Sequence, residues 1–191
     1  MTVRQQNILR VYHLANADEI QAGLSWYLDA NQQAARLAKE NGLTIRQCAG
    51  VIAAVSPGLK WEKNVEAAER IIKGEPLDGL GVRWYDGVKK AKRIIRGHNP
   101  DMVLKGNKVR AFFACILNPK NETTVCIDGH AFAIHAGRRI TLDETPTMND
   151  RLYNRIAGDY VIVAKWLGLS PCQLQAVTWV CWRRLQGVVK N

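Results

Sequence analysis

Apolar residues recur at helical spacing along most of the chain. Between residues 18 and 40, Ile20, Leu24, Tyr27, Leu28, Ala34, Ala35 and Ala38 suit one helix face, and Gly42 ends the run. Thr44 is placed to cap a more uniformly apolar helix over 45–55. Ser56-Pro57-Gly58 then breaks the chain. A helix over about 60–73 follows, and then a loop over 74–81 carrying Pro76, Gly79 and Gly81. The stretch over about 82–96 is two-faced: Lys89, Lys92, Arg93 and Arg96 fall at i, i+3, i+4 and i+7, with Val88, Ala91 and Ile95 on the other side.

Asn99-Pro100 predicts a short helical turn over 101–104, and Lys105-Gly106-Asn107 a tight turn. An apolar helix over 108–117 and a polar loop over 118–124 come next. Val125-Cys126-Ile127 reads as an extended entry to a helix capped by Asp128 and reaching about residue 136. Two longer helices are predicted over about 149–167 and 170–184, the second opened by Ser170 as cap and Pro171 at the first position. No strand pair is evident, so the fold is expected to be all-α, with the loop over 137–146 as a hinge.

Composition sharpens this. Nearly half the residues are apolar, enough for a core without cross-links. The five cysteines form no CxxC pair, which argues against a disulfide framework and for a reducing compartment. Residues 1–9 carry no apolar signal core, and no apolar run reaches membrane-spanning length. Lys and Arg number 27 against 17 Asp and Glu, a net charge of +10 that favours a polyanionic partner. Nine of those cations lie between Arg83 and Arg110, opposed only by Asp86 and Asp101. A glycine turn between two helices, set among such cations, can aim backbone N–H groups at a phosphate.

The segment Leu104-Lys105-Gly106-Asn107-Lys108-Val109-Arg110-Ala111 resembles the hairpin and second helix of the helix-hairpin-helix DNA glycosylases of the endonuclease III type. Val125-Cys126-Ile127-Asp128-Gly129-His130 is similar to that family's stretch around its catalytic Asp, and Lys108 stands 20 positions before Asp128, close to the family interval. Ala53-Ala54-Val55-Ser56-Pro57 sits where the family has a helix ending in a turn. The hairpin is shorter than the family's, lacks its proline and second glycine, and the family's intercalating Gln is missing after Ser56. A four-cysteine iron–sulfur pattern is missing too.

The resemblance implies a two-lobed helical domain with a helix-hairpin-helix motif, its lobes over about 44–136 and over 1–43 with 137–191. It implies an N-glycosylase with AP-lyase activity. Lys108 would be the nucleophile, its pKa lowered by neighbouring cations, a helix start and an apolar face. Asp128 would stay ionised at a helix N-terminus and stabilise the cationic transition state. Lys89, Lys92, Arg93, Arg96, Lys105, Gly106, Asn107, Arg110 and His130 would contact double-stranded DNA. Ser56, Leu59 and Trp61 would form a base pocket or wedge, with Trp61 equally suited to packing. Trp26, Trp166, Trp179 and Trp182 read as core or lobe interface. No cofactor or metal is expected, and the protein is expected to be monomeric and cytoplasmic. Two other readings fit the same residues: a DNA-binding module in which Lys108 only grips phosphate and Asp128 only caps a helix, and a transferase that modifies bases in DNA.

Overall fold

A computed structural model describes residues 1–80, 85–141 and 144–187. Among these residues the fold is all-α, with ten helices and no strand. They are α1 Val3–His13, α2 Ala17–Asn41, α3 Ile45–Val55, α4 Trp61–Lys73, α5 Tyr85–Ile95, α6 Pro100–Val103, α7 Asn107–Leu117, α8 Gly129–Ala136, α9 Asp150–Leu167 and α10 Pro171–Leu185. Val82 and Arg83, at the expected start of α5, lie outside the described residues, as does Asp143 in the expected hinge.

Caps set most of these boundaries. Thr2, Thr44 and Ser170 each accept from the backbone N–H three residues on, while Gln5, Gln47 and Gln173 reach back to the cap's own N–H. Asn149 and Asp128 cap α9 and α8 through one bond each. Gly42, Gly74, Gly97, Gly137 and Gly168 end helices with φ between 65° and 92°, a conformation that costs other residues strain. The helix α1 was not expected from sequence. Its signals are the Thr2–Gln5 box and the pair Ile8 and Val11, three apart and both buried.

The chain divides into two compact units, Met1–Leu28 with Pro119–Asn191 and Asp29–Asn118. The sequence boundaries at 43/44 and 136/137 differ from these. In the first unit α8 packs on α1 and α10, which draws α8 and Asp128 into the unit formed by the chain's two ends. There α1, α8, α9 and α10 enclose Ile8, Val11, Ile134, Ile156, Tyr160, Val163, Leu174 and Val177. Gly23 of α2 lies against α10 so closely that a Cβ would stand 2.4 Å from Val177 Cα. All five cysteines are buried. Burial pushes the Cys48 thiol up to about 11, which keeps it protonated and inert. Trp182 is buried as expected, but Trp166 is 61 % exposed: it lies on the solvent face of α9, beyond the buried Val163 and Ala164.

In the second unit α3 is the central helix. Every residue from Cys48 to Val55 is buried, and α4, α5, α6 and α7 pack around it. The buried side of α5 is Gly87, Ala91 and Ile94, whereas Val88 and Ile95 are only half-buried. At Gly87 the two helices touch, and a Cβ there would stand 2.6 Å from the Ala54 carbonyl oxygen. Gly87→Ala is therefore expected to cost about 1–3 kcal/mol by forcing α5 off α3, read as a fall of several degrees in Tm. Gly158→Ala in α9, where a Cβ meets nothing within 4 Å, is the control and should hold or raise Tm.

Candidate nucleic-acid interface

The contact of Gly87, Ala91 and Ile94 with α3 fixes which side of α5 faces water. Lys89, Lys92, Arg93 and Arg96 all lie on that exposed side. The two acids of this region are already engaged by other cations. Lys90 Nζ lies 2.6 Å from Asp86 Oδ2, and Arg46 pairs with Asp101. Lys89 also stands over the Tyr85 ring at 4.6 Å. Lys92, Arg93 and Arg96 make no ion pair among the described residues. The face therefore presents cations whose nearest sequence acids are spent elsewhere, the condition for attracting a polyanion.

Beyond α5 the chain makes a helix, a tight turn and a helix. Asn99 caps α6 by accepting from the Asp101 N–H at 3.1 Å, with Pro100 at the first position. Leu104 is buried, and Gly106 then takes φ 79°, which an L side chain adopts only with strain. Gly106 gives the first turn of α7 no side-chain cap, and a helix start is the end that favours an anion. Lys105 and Gly106 are exposed and Asn107 is half-buried. Lys108 is exposed on the first turn of α7, so the apolar surroundings expected for its amine are not there.

Arg110 braces the hairpin from within. Its Nε donates to the Leu104 carbonyl at 3.0 Å and an Nη to the Asp101 carbonyl at 3.4 Å. It thereby ties α6 to α7 and holds the turn in shape. Ser56 also serves the backbone, because its hydroxyl donates to the Ala53 carbonyl at 3.0 Å and closes α3. Leu59 and Trp61 are half-buried after the turn at Pro57 and Gly58. A groove of about 220 Å³ joins these parts, lined by Pro57, Lys90, Lys105 and Val109 with Asp86 at its edge. Pro57 of the helix-ending turn and Lys105 and Val109 of the hairpin thus line one groove.

Asp128 belongs to the other unit. Its Oδ1 accepts from the Ala131 N–H at 2.8 Å, and its carbonyl accepts from Phe132. The strand-like entry before it is pinned by Tyr153, whose buried hydroxyl accepts from Ile127 N–H at 3.1 Å and donates to the Val125 carbonyl at 2.9 Å. His130 is half-buried, edge-on to Trp179, and Trp179 in turn meets Trp26. Arg183 stacks over the same Trp179 at 4.6 Å. Tyr160 is fully buried, and its hydroxyl makes no hydrogen bond of normal geometry among the described residues. Burial raises its pKa, Thr178 pulls slightly the other way, and the Asp128 carboxylate adds to the rise. Sequence periodicity marks Tyr160 and Trp179 as packing residues and carries no signal that Tyr160 feels the Asp128 carboxylate or that Trp179 meets His130.

Among the described residues, no group of three or more His, Cys, Asp and Glu side chains gathers as a metal site. No described helix is long and apolar enough to cross a membrane. The chain belongs to the family of unknown function DUF7178, whose model matches residues 1–186. No curated protein and no solved structure matches it.

Proposed function

We propose that the chain is a DNA N-glycosylase with an AP-lyase step, acting as a cytoplasmic monomer on a flipped, damaged or modified base in double-stranded DNA. The observation that carries the reading is the glycine turn that opens α7 at Gly106, beside Lys105 and Lys108 and in the unit that carries the exposed cations Lys89, Lys92, Arg93 and Arg96. Such a turn suits a backbone phosphate, and Lys108 then stands on the first helical turn beside it. The Lys108 amine adds at the anomeric carbon as the glycosidic bond breaks. The departing base keeps that bond's electron pair and takes up a proton. The amine sheds its proton as the sugar opens to an imine, from which loss of the C2′ proton expels the 3′ phosphate. Asp128 is the anion that would offset the developing cation.

The test is incubation with duplexes carrying damaged or modified bases in the presence of borohydride. A covalent adduct with one duplex supports the reading. A base altered but still attached to its sugar would mark a transferase. One observation favours a second reading, a DNA-binding module without chemistry: the Asp128 carboxylate is already engaged as the cap of α8. Both readings share the binding face. Lys92→Gln with Arg93→Gln is expected to weaken binding to all sequences alike and to flatten the salt dependence by about one to two units of slope. Unchanged affinity at low salt would remove α5 from the interface.

A further inference from the structure

The first unit holds a pocket that the proposed reaction does not use. Its volume is about 530 Å³, and residues of the α1 start, the α8 end and α9 line it. Phe132 and Leu152 supply apolar wall, and Arg4, Arg155, His135 and Asp159 the charged and polar groups. His135 Nε2 lies 2.8 Å from Asp159 Oδ2, and Gln5 Nε2 donates to Oδ1 at 2.7 Å. The carboxylate is thus held by one partner and orients the other. The neutral ring carries its proton on Nε2, leaving a lone pair on Nδ1. Nδ1 makes no hydrogen bond to any described residue.

The charges around this imidazole are unbalanced. Arg4 reaches the Ala136 carbonyl at the end of α8, 2.9 Å away, and Arg155 makes no ion pair among the described residues. Two guanidinium groups therefore share one pocket with a single carboxylate. Burial holds the His135 pKa below its ordinary value, Asp159 opposes that, and Arg4 and Arg155 lower it further. The remaining helix packed on α8 contributes no competing charge there, since α10 turns Arg184 to Glu19 and Arg183 over Trp179. An anion in the pocket would offset both guanidinium groups and remove their penalty on the protonated ring.

We propose that this pocket binds a phosphate group, with Arg4 and Arg155 on its oxygens and His135 taking up a proton to donate through Nδ1. Two planar forks and one imidazolium suit a tetrahedral oxyanion. That phosphate belongs either to a small phosphomonoester or to a nucleic-acid backbone.

Sulfate is the probe, because it is tetrahedral and keeps one charge state throughout the range used. It is titrated into the full chain while the His135 ring resonances are followed by NMR. The expected result is a saturable shift of those resonances, with binding about tenfold tighter near pH 5.5 than near pH 8. Arg155→Gln should weaken binding about tenfold at unchanged Tm, as its side chain makes no hydrogen bond among the described residues. No shift at millimolar sulfate overturns the proposal. So does binding that ignores pH or survives Arg155→Gln. A phosphomonoester and a short duplex are then each set to displace sulfate. Displacement by one names the source of the phosphate, and displacement by neither overturns the proposal.

Discussion

Under borohydride, the wild-type protein is expected to form a covalent adduct with its substrate duplex, and Lys108→Gln to form none. Reduction traps only an imine, so the adduct reports a Lys amine bonded to the sugar rather than tight binding. Lys108 is exposed on the first turn of α7, so the substitution removes no core packing. One phosphate-range charge is worth roughly 1 kcal/mol or less, so DNA affinity should stay within about tenfold. Lys105→Gln is the control. Lys105 is also exposed, three residues earlier, and lines the groove beside Val109. It should keep the adduct while weakening binding to a similar degree. Wild-type trapping by the Lys108 variant would end the nucleophile assignment. Base release without any trapping would leave a glycosylase that activates water. Binding without release from any duplex would leave the module.

The helices were legible where caps and breakers coincide with a change of hydrophobic period. Thr44 with Gln47, Ser170 with Pro171, Asn149 and Asp128 all mark true helix starts. The helix α1 was not, because its buried face is short and includes Gln5, which is held by Asp159 from α9. A polar residue buried through a partner 154 positions away looks like a surface residue in sequence. The charged side of α5 was legible by spacing, but its core side was misread by one position. Gly87 packs because it lacks a side chain, and hydrophobic periodicity is blind to that. Arg110 and Ser56, expected at DNA and in a pocket wall, each also donate to a nearby carbonyl, which residue type does not reveal. The division into units was hidden for a related reason. Both ends of the chain build one unit, and contact between α1 and α8 has no local signal.

The second large effect is expected at Asp128, where Asn and Ala separate two roles that one carboxylate fills. Asp128 accepts from the Ala131 N–H and starts α8. Asparagine offers the same cap acceptor in nearly the same shape, so Asp128→Asn should keep the fold, with Tm changed little. It removes the negative charge, and with it the stabilisation of a cationic sugar. Base release should fall about a hundredfold or more, the usual scale when a preorganised charge that offsets a developing one is lost. Asp128→Ala removes cap and charge together, and should add about 1 kcal/mol of destabilisation to the same loss of release. Trapping by the Asn variant should slow in step with release, because the charge acts before the imine forms. A variant series in which Asn works at the wild-type rate and Ala merely melts earlier would make Asp128 a cap alone. The chemistry would then have to be sought elsewhere in the chain, or given up in favour of a protein that holds DNA without cutting it.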